Sequence, residues 1–107
     1  MNLSRFGLIL IFAATSFFPA LASAADKSHG AALFADNGCQ HCHTIRKNGG
    51  NKGPDLSGVG RSRSKDQIRA QILQGGHEMP AFADILKESE VNDLVAYLHS
   101  CRDKNQK

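Results

Sequence analysis

Residues 37–44 read NGCQHCHT, and the interpretation of the whole chain depends on this stretch. Cys39 and Cys42 are separated by two residues, and His43 follows the second cysteine directly. This spacing is typical of three kinds of site, namely a zinc site, a redox-active pair of thiols and a point of covalent haem attachment. The three sites make different demands on the rest of the sequence, so the remaining residues distinguish between them.

The rest of the chain favours haem attachment. A structural zinc site needs four ligands, usually from two separated pairs, and Cys101 is the only other cysteine. A thioredoxin-like dithiol belongs to a parallel βαβ unit, and no segment has the alternating pattern of a strand. In C-x-x-C-H the two thiols bond the vinyl groups of haem and the histidine binds iron. We therefore predict one covalent haem c on Cys39 and Cys42, with His43 as an axial iron ligand. Zinc and dithiol sites are the alternatives.

A second axial ligand has to come from elsewhere in the chain, and Met79 is the first candidate. It lies in HEMPAF, residues 77–82, which has no helical periodicity. A methionine that only fills a core usually falls on a helical apolar stripe, and this one does not. A thioether is a soft ligand that raises the reduction potential when it is paired with histidine. We predict His43 and Met79 as the axial pair, with His77 as the alternative to Met79.

The N-terminal residues have the parts of a secretory signal. Arg5 supplies a positive charge, and residues 6–18 form a largely apolar run of 13 residues. This run is shorter than the roughly 20 residues that span a bilayer. Ala22-Ser23-Ala24 is typical of a peptidase cleavage site. We predict that residues 1–24 are removed and that residues 25–107 form a single periplasmic domain. A retained membrane anchor is the alternative.

Composition limits the possible partners of this small domain. Chains of this size bury a modest fraction of their surface and often depend on disulfides, a metal or a cofactor for stability. The formal net charge is only +3, whereas nucleic-acid-binding domains are usually strongly basic, so no nucleic-acid partner is predicted. The basic side chains are nevertheless concentrated in one segment, where they form either a solvated face or a docking patch for an acidic partner. This basic segment contains Arg46, Lys47, Lys52, Arg61, Arg63, Lys65 and Arg69.

The hydrophobic pattern predicts an all-α domain without strands. Helices are expected over residues 28–37, over residues 64–74 and over a C-terminal segment that reaches residue 98. Residues 44–63 have no periodicity and are rich in glycine, which predicts an irregular loop that wraps a ligand. The signals used are Ser28 as a helix cap, Gly38 as a helix end, a capping box from Ser64 to Gln67, and the stripe Val91, Leu94, Val95 and Leu98, with Lys87 or Ser89 before it.

In this order the motifs resemble the small bacterial class I c-type cytochromes, which carry one haem. The resemblance extends over nearly all of residues 25–107 and rests on CQHCH, GPDLSGVG, GGHEMPAF and EVNDLVAYL. It implies three to five short helices wrapped around one covalently bound haem, with the first and last helices crossing. It also implies that the Pro54 carbonyl accepts a hydrogen bond from the His43 ring. At the helix crossing, it places Gly30 and Phe34 against Leu94 and Tyr97.

The function implied by the resemblance is one-electron transfer between respiratory redox partners by a soluble periplasmic carrier, which is not an enzyme. The alternative is a haem-bearing subunit, or a haem enzyme of the peroxidase or gas-binding kind with a displaceable sixth ligand. No stable membrane span is expected in the mature chain. Cys101 is not used by the haem motif. A monomer with a free thiol is expected, and a disulfide dimer through Cys101 is the alternative.

Overall fold

The computed structural model describes residues 11, 13, 14 and 24–104. Within this part the structure is mostly helical, which confirms the predicted fold class. The predicted signal segment, apart from residues 11, 13, 14 and 24, lies outside the described residues. None of the described helices has the length and apolar character needed to cross a membrane. The elements are α1 (Lys27–Asp36), a 3₁₀ turn (Cys39–His41), β1 (Thr44–Ile45), β2 (Asn48–Gly49), α2 (Val59–Ser62), α3 (Lys65–Gln74) and α4 (Glu88–His99).

Helices α1 and α4 cross, as the resemblance implied, and Gly30 is the point of closest approach. A Cβ atom at Gly30 would collide with the backbone carbonyl of Asp93 and would lie 2.7 Å from the Cβ of Tyr97. One turn further along α1, the rings of Phe34 and Tyr97 meet edge to face, with centroids 6.0 Å apart. This geometry is favourable for aromatic pairs. The crossing therefore depends on the absence of a side chain at residue 30.

The start of α1 differs from the prediction. Ser28 is not the cap, because the side chain of Asp26 accepts hydrogen bonds from the backbone N–H groups of Ser28 and His29. Asp26 also donates its own N–H to the Asp93 carboxylate at 2.8 Å. The start of α1 is therefore set by Asp26, which is also hydrogen-bonded to α4. The local sequence around Asp26 does not show that α4 lies beside it.

The later helices begin close to the predicted positions. Ser64 and Gln67 form the expected reciprocal capping box, with N···O distances of 2.9 and 3.1 Å, and α3 follows it. Helix α4 begins after Lys87, whose backbone N–H is 2.9 Å from a carboxylate oxygen of Glu90. This bond satisfies a backbone N–H at the start of α4 that has no partner within the helix, and it needs no serine or threonine cap. Ser89 therefore lies inside the first turn of α4.

Two expectations for residues 44–63 were wrong. Strands β1 and β2 pair antiparallel across a tight turn, where Arg46 and Lys47 have φ of 50° and 69°. Two-residue strands are too short to produce an alternating pattern, and this turn lacks the glycine or asparagine that usually signals it. The single turn of α2 was also missed. It is held by tertiary contact, since a Cβ at Gly60 would collide with the carbonyl of His99.

The core lies between α1, α3, α4 and the loop after Met79. The apolar stripe predicted for α4 is buried, and Val91, Leu94 and Val95 are at most 2% exposed. Among the described residues, Ser57 is the only polar side chain in the buried set. The buried residues that pack together are Phe34, Ile45, Ile68, Ile72, Phe82, Leu86, Val91, Leu94, Val95, Leu98 and Cys101.

Candidate haem-binding site

The cysteine motif forms a tight turn directly after α1. Gly38 has a φ of 75°, which ends the helix and redirects the chain. The 3₁₀ turn then brings Cys42 and His43 back over Cys39, whose carbonyl accepts from the backbone N–H of both, at 3.2 and 3.0 Å. Cys39 is partly buried and Cys42 is exposed. The two thiols and the imidazole are thus displayed from a single turn of the chain.

The His43 ring is held in one orientation from its Nδ1 side. Nδ1 lies 2.8 Å from the backbone carbonyl oxygen of Pro54. Because a carbonyl oxygen only accepts, this contact selects the neutral tautomer in which Nδ1 carries the proton and Nε2 has the free lone pair. The backbone of Gly53 lies against the same ring, since a Cβ there would be 2.6 Å from Cε1 of His43. Sequence reasoning missed Gly53, although the Gly-Pro pair at 53–54 is a visible turn signal.

Met79 is presented by a second tight turn. The backbone N–H of Gly76 bonds to the carbonyl of Met79 at 2.9 Å, and the N–H of Met79 bonds to the carbonyl of Gly76 at 3.0 Å. Between them His77 and Glu78 have φ of 52° and 70°. Such values are unfavourable for residues other than glycine and are often found at functional sites. His77 and Glu78 are exposed, whereas Met79 is partly buried.

The Met79 sulfur has a polar neighbour that the sequence did not reveal. The amide nitrogen of Gln71, on α3, lies 3.8 Å from Sδ of Met79 and 3.1 Å from the carbonyl of Gly75. A glutamine on the exposed side of a helix is ordinary in sequence. Only the return of the chain after α3 brings it to the sulfur, so no sequence signal identified it.

An apolar cleft brings three of the predicted site residues together. Cys39, His43 and Met79 all line it, Cys42 and Pro54 lie outside its lining, and His77 and Glu78 do not line it either. The accessible surface that faces this cleft is apolar, which suits an aromatic macrocycle. The Cys39 thiol can bond a haem vinyl group, and the imidazole Nε2 of His43 and the thioether of Met79 are the donors available to a haem iron. The residues present therefore fit the predicted cofactor. The other lining residues are Phe34, Leu56, Ile72, Phe82, Leu94 and Leu98.

The same region does not resemble a zinc site. Within residues 24–104 no group of three or more histidine, cysteine, aspartate or glutamate side chains is arranged to hold a metal ion. Burial raises the pKa of the Cys39 thiol. A raised pKa disfavours the thiolate that zinc needs. Cys101 lies in the buried core and is not part of the cleft lining.

Comparison with known proteins agrees with this geometry. The family model described as "Cytochrome C oxidase, cbb3-type, subunit III" matches residues 25–98. Cytochrome c6 of Nostoc sp. is 36% identical, over 95% of this chain and 96% of the relative. The chain belongs to the c-type cytochrome family. Cytochrome c-555 of Methylococcus capsulatus is 28% identical, over 79% of this chain and 72% of that protein. Among solved structures, a chain in the crystal structure of SoxXA from P. pantotrophus matches with a TM-score of 0.66 and 21% sequence identity. The match covers 77% of this chain and 85% of the SoxXA chain.

Membership confirms the predicted small class I c-type cytochrome and its cofactor, a covalently bound haem c with iron. The likeness to the SoxXA structure shows the shared fold. Haem and iron binding and a role in electron transport follow from membership of the cytochrome c family. When bound, haem c supplies a one-electron couple.

Cys101 and the basic segment lie away from the cleft lining. Cys101 is 4% exposed, and its Sγ donates to the carbonyl of Tyr97 at 3.4 Å. A disulfide between two chains would require this thiol to leave the core. In the basic segment, Arg46 pairs with Asp103 at 3.1 Å and partly buried Arg69 donates to Asn92. The other members of the segment are exposed.

Proposed function

We propose that this cytochrome is a soluble periplasmic one-electron carrier whose haem is bonded to Cys39 and Cys42 and ligated by His43 and Met79. It is not an enzyme. The chain's residues bind the cofactor, exclude water from the cleft and hold the ligand side chains in place. Two ligands held by tight turns change little between oxidation states, which favours rapid electron transfer over substrate binding.

A single observation carries the proposal: Cys39, His43 and Met79 line one apolar cleft. The hydrogen bond from His43 Nδ1 to Pro54 leaves Nε2 as the iron-binding atom, and such an outer partner raises the basicity of the ring. The peroxidase-like alternative needs polar groups beside an open sixth position. His77 and Glu78, which adjoin Met79 in sequence, and Gln71, whose amide lies near its sulfur, are all exposed and outside the cleft lining.

The ligand pair is tested by absorption spectroscopy of the purified holoprotein. The ferric form is expected to be low-spin, with the weak long-wavelength band of methionine bound to iron. Met79→Ala is expected to lose that band and, when reduced, to bind carbon monoxide. His77→Ala is the matched control from the same turn and should retain both the band and the closed iron. A high-spin ferric spectrum of the wild type contradicts the carrier function. A low-spin wild type that lacks the methionine band, and whose reduced iron binds carbon monoxide only in His77→Ala, moves the ligand to His77.

The covalent attachment is tested by counting thiols. The sequence has three cysteines, so two thioether bonds leave one reactive thiol, Cys101, in the denatured holoprotein. The mass of the same sample should exceed that of residues 25–107 by one haem. Three reactive thiols and the mass of the bare polypeptide would contradict the attachment.

Export and partners complete the proposal. Cleavage after Ala24 in the periplasm is tested by N-terminal sequencing of the holoprotein, which should begin at Ala25.

Redox partner proteins with acidic docking surfaces are proposed for the exposed cations of the basic segment, including Arg61 and Arg63. Reduction rates that fall as salt rises would support this docking, because screening weakens attraction between opposite charges. Rates independent of salt would argue against it.

The second candidate function is a haem subunit fixed to a larger oxidoreductase. The observation that favours it is the matched family model, whose description is that of an oxidase subunit. Size-exclusion chromatography of a periplasmic extract prepared without detergent distinguishes the carrier from the subunit by native mass. A free carrier elutes as a monomer of the mature chain, and a subunit elutes with its partner proteins.

A further inference from the structure

Ser57 is the only polar side chain in the buried set of the described residues, at 4% exposure. It is not part of the cleft lining, and the proposed function does not use it. Its Oγ accepts from the backbone N–H of Arg46 at 2.7 Å and donates to Oδ1 of Asp55 at 2.6 Å. Buried polar groups in such networks hold their neighbours in one arrangement, because a broken bond leaves a group unsatisfied.

These bonds form the last rung of a ladder between two parallel stretches of chain, residues 42–46 and 53–57. The first rung is the backbone N–H of Gly53 donating to the carbonyl of Cys42 at 2.7 Å. The second is Nδ1 of His43 donating to the Pro54 carbonyl, and the third is the N–H of Leu56 donating to the carbonyl of Thr44 at 2.8 Å. Ser57 and Arg46 close the series. The His43 ring is thus one rung of a continuous structure.

Asp55 links Ser57 to the rung that carries His43. The carbonyl of Pro54 belongs to the peptide plane that ends at the nitrogen of Asp55, so the conformation of Asp55 sets where this carbonyl points. The Asp55 carboxylate is held by the N–H of Ser57 at 2.9 Å as well as by its Oγ. This is an Asx turn, which fixes local backbone direction.

The C-terminal residues after α4 reinforce the same rung. The N–H of Asp103 donates to the carbonyl of Ser57 at 3.0 Å, and the carboxylate of Asp103 pairs with the guanidinium of Arg46. Ser57 and Arg46 are therefore joined twice, once directly and once through Asp103. An exposed ion pair alone would contribute little, but here it adds to buried hydrogen bonds.

We propose that Ser57 is a positioning residue for His43, acting through Asp55 and the Pro54 carbonyl. The inference rests on the proposed function, in which His43 ligates iron. Loss of the Ser57 hydroxyl loosens the Asx turn and weakens the Nδ1–H···O bond. A weaker bond makes the imidazole a poorer donor, which disfavours the ferric form and raises the reduction potential.

The test compares Ser57→Ala with the wild-type ferrous holoprotein by NMR hydrogen exchange. The exchange rate of the His43 Nδ1 proton is expected to rise about tenfold, corresponding to about 1.4 kcal/mol of local opening. The backbone amide of Val95, in the core of α4, is expected to keep its wild-type rate. A redox titration of the same sample should show a higher potential. Ser57→Thr keeps a hydroxyl and should return both values toward the wild type.

Ser62→Ala is the matched control, because Ser62 is exposed and donates only a 3.4 Å bond to Val59. It should leave the His43 proton and the potential unchanged. An unchanged His43 rate in Ser57→Ala overturns the inference, and so does an equal rise at His43 and Val95, which would show global loosening. The wild-type spectrum is recorded before any variant is compared. If it shows that histidine does not ligate the haem iron, the proposed function is overturned rather than the role of Ser57.

Discussion

Replacing Gly30 by alanine tests the helix crossing on which the cleft depends. An added Cβ would meet the backbone carbonyl of Asp93, which no rotamer change can move, and would lie 2.7 Å from the Cβ of Tyr97. Overpacking of this kind costs about 1–3 kcal/mol, and a clash with backbone belongs near the upper end. Alanine recovers about 1 kcal/mol through helix propensity. The expected net loss in the free energy of unfolding is about 2 kcal/mol.

The assay is urea unfolding of the holoprotein, with thermal unfolding as a second measurement. In a domain of this size, about 2 kcal/mol lowers the melting temperature by roughly 8–16 °C. Ala32→Gly, at an exposed position of α1, isolates the propensity contribution and should lose about 1 kcal/mol without any clash. If Gly30→Ala is as stable as the wild type, or more stable, the close backbone approach of α1 and α4 is refuted.

Three further predictions follow from other contacts. Gln71→Leu removes the amide that lies 3.8 Å from the Met79 sulfur. Because that donor draws electron density from the thioether, the reduction potential measured by redox titration should fall. An unchanged potential would show that the contact does not affect the haem. Cys101 should react with iodoacetamide only after unfolding, and non-reducing gels should show a monomer, since the thiol is 4% exposed; a reductant-sensitive dimer would contradict this. The His29–Asp93 bond of 2.6 Å should stabilise the fold most between about pH 4 and 6.5. Its hydrogen bond raises the pKa of His29 above 6.5 and lowers that of Asp93 below 3.8, so the contribution fades as the pH rises through the folded pKa of His29 or falls through that of Asp93. The urea midpoint of His29→Gln should therefore lie further below the wild type at pH 5 than at pH 8, and an equal difference at both would refute the linkage.

Local signals were sufficient for much of the chain. The capping box at Ser64, the apolar stripe of α4 and the glycine after α1 each depend on residues within one or two turns, and each was read correctly. The cysteine motif is local as well, since its predicted chemistry is contained in five consecutive residues. The β1–β2 hairpin was missed because its strands have only two residues each, and the other missed features are held by distant partners. Helix α2 depends on the close approach of Gly60 to α4, and the cap at Asp26 is also bonded to Asp93.

The sequence by itself determined the cofactor, the helical class and the candidate ligands, because these follow from residue chemistry at short spacing. Only the tertiary structure decided which groups surround those ligands. Gln71 reaches the Met79 sulfur, and Ser57 joins the loop behind His43, through contacts between segments that a linear pattern does not relate. Hydrogen bonds and close packing act over a few ångströms in space, whatever the separation along the chain.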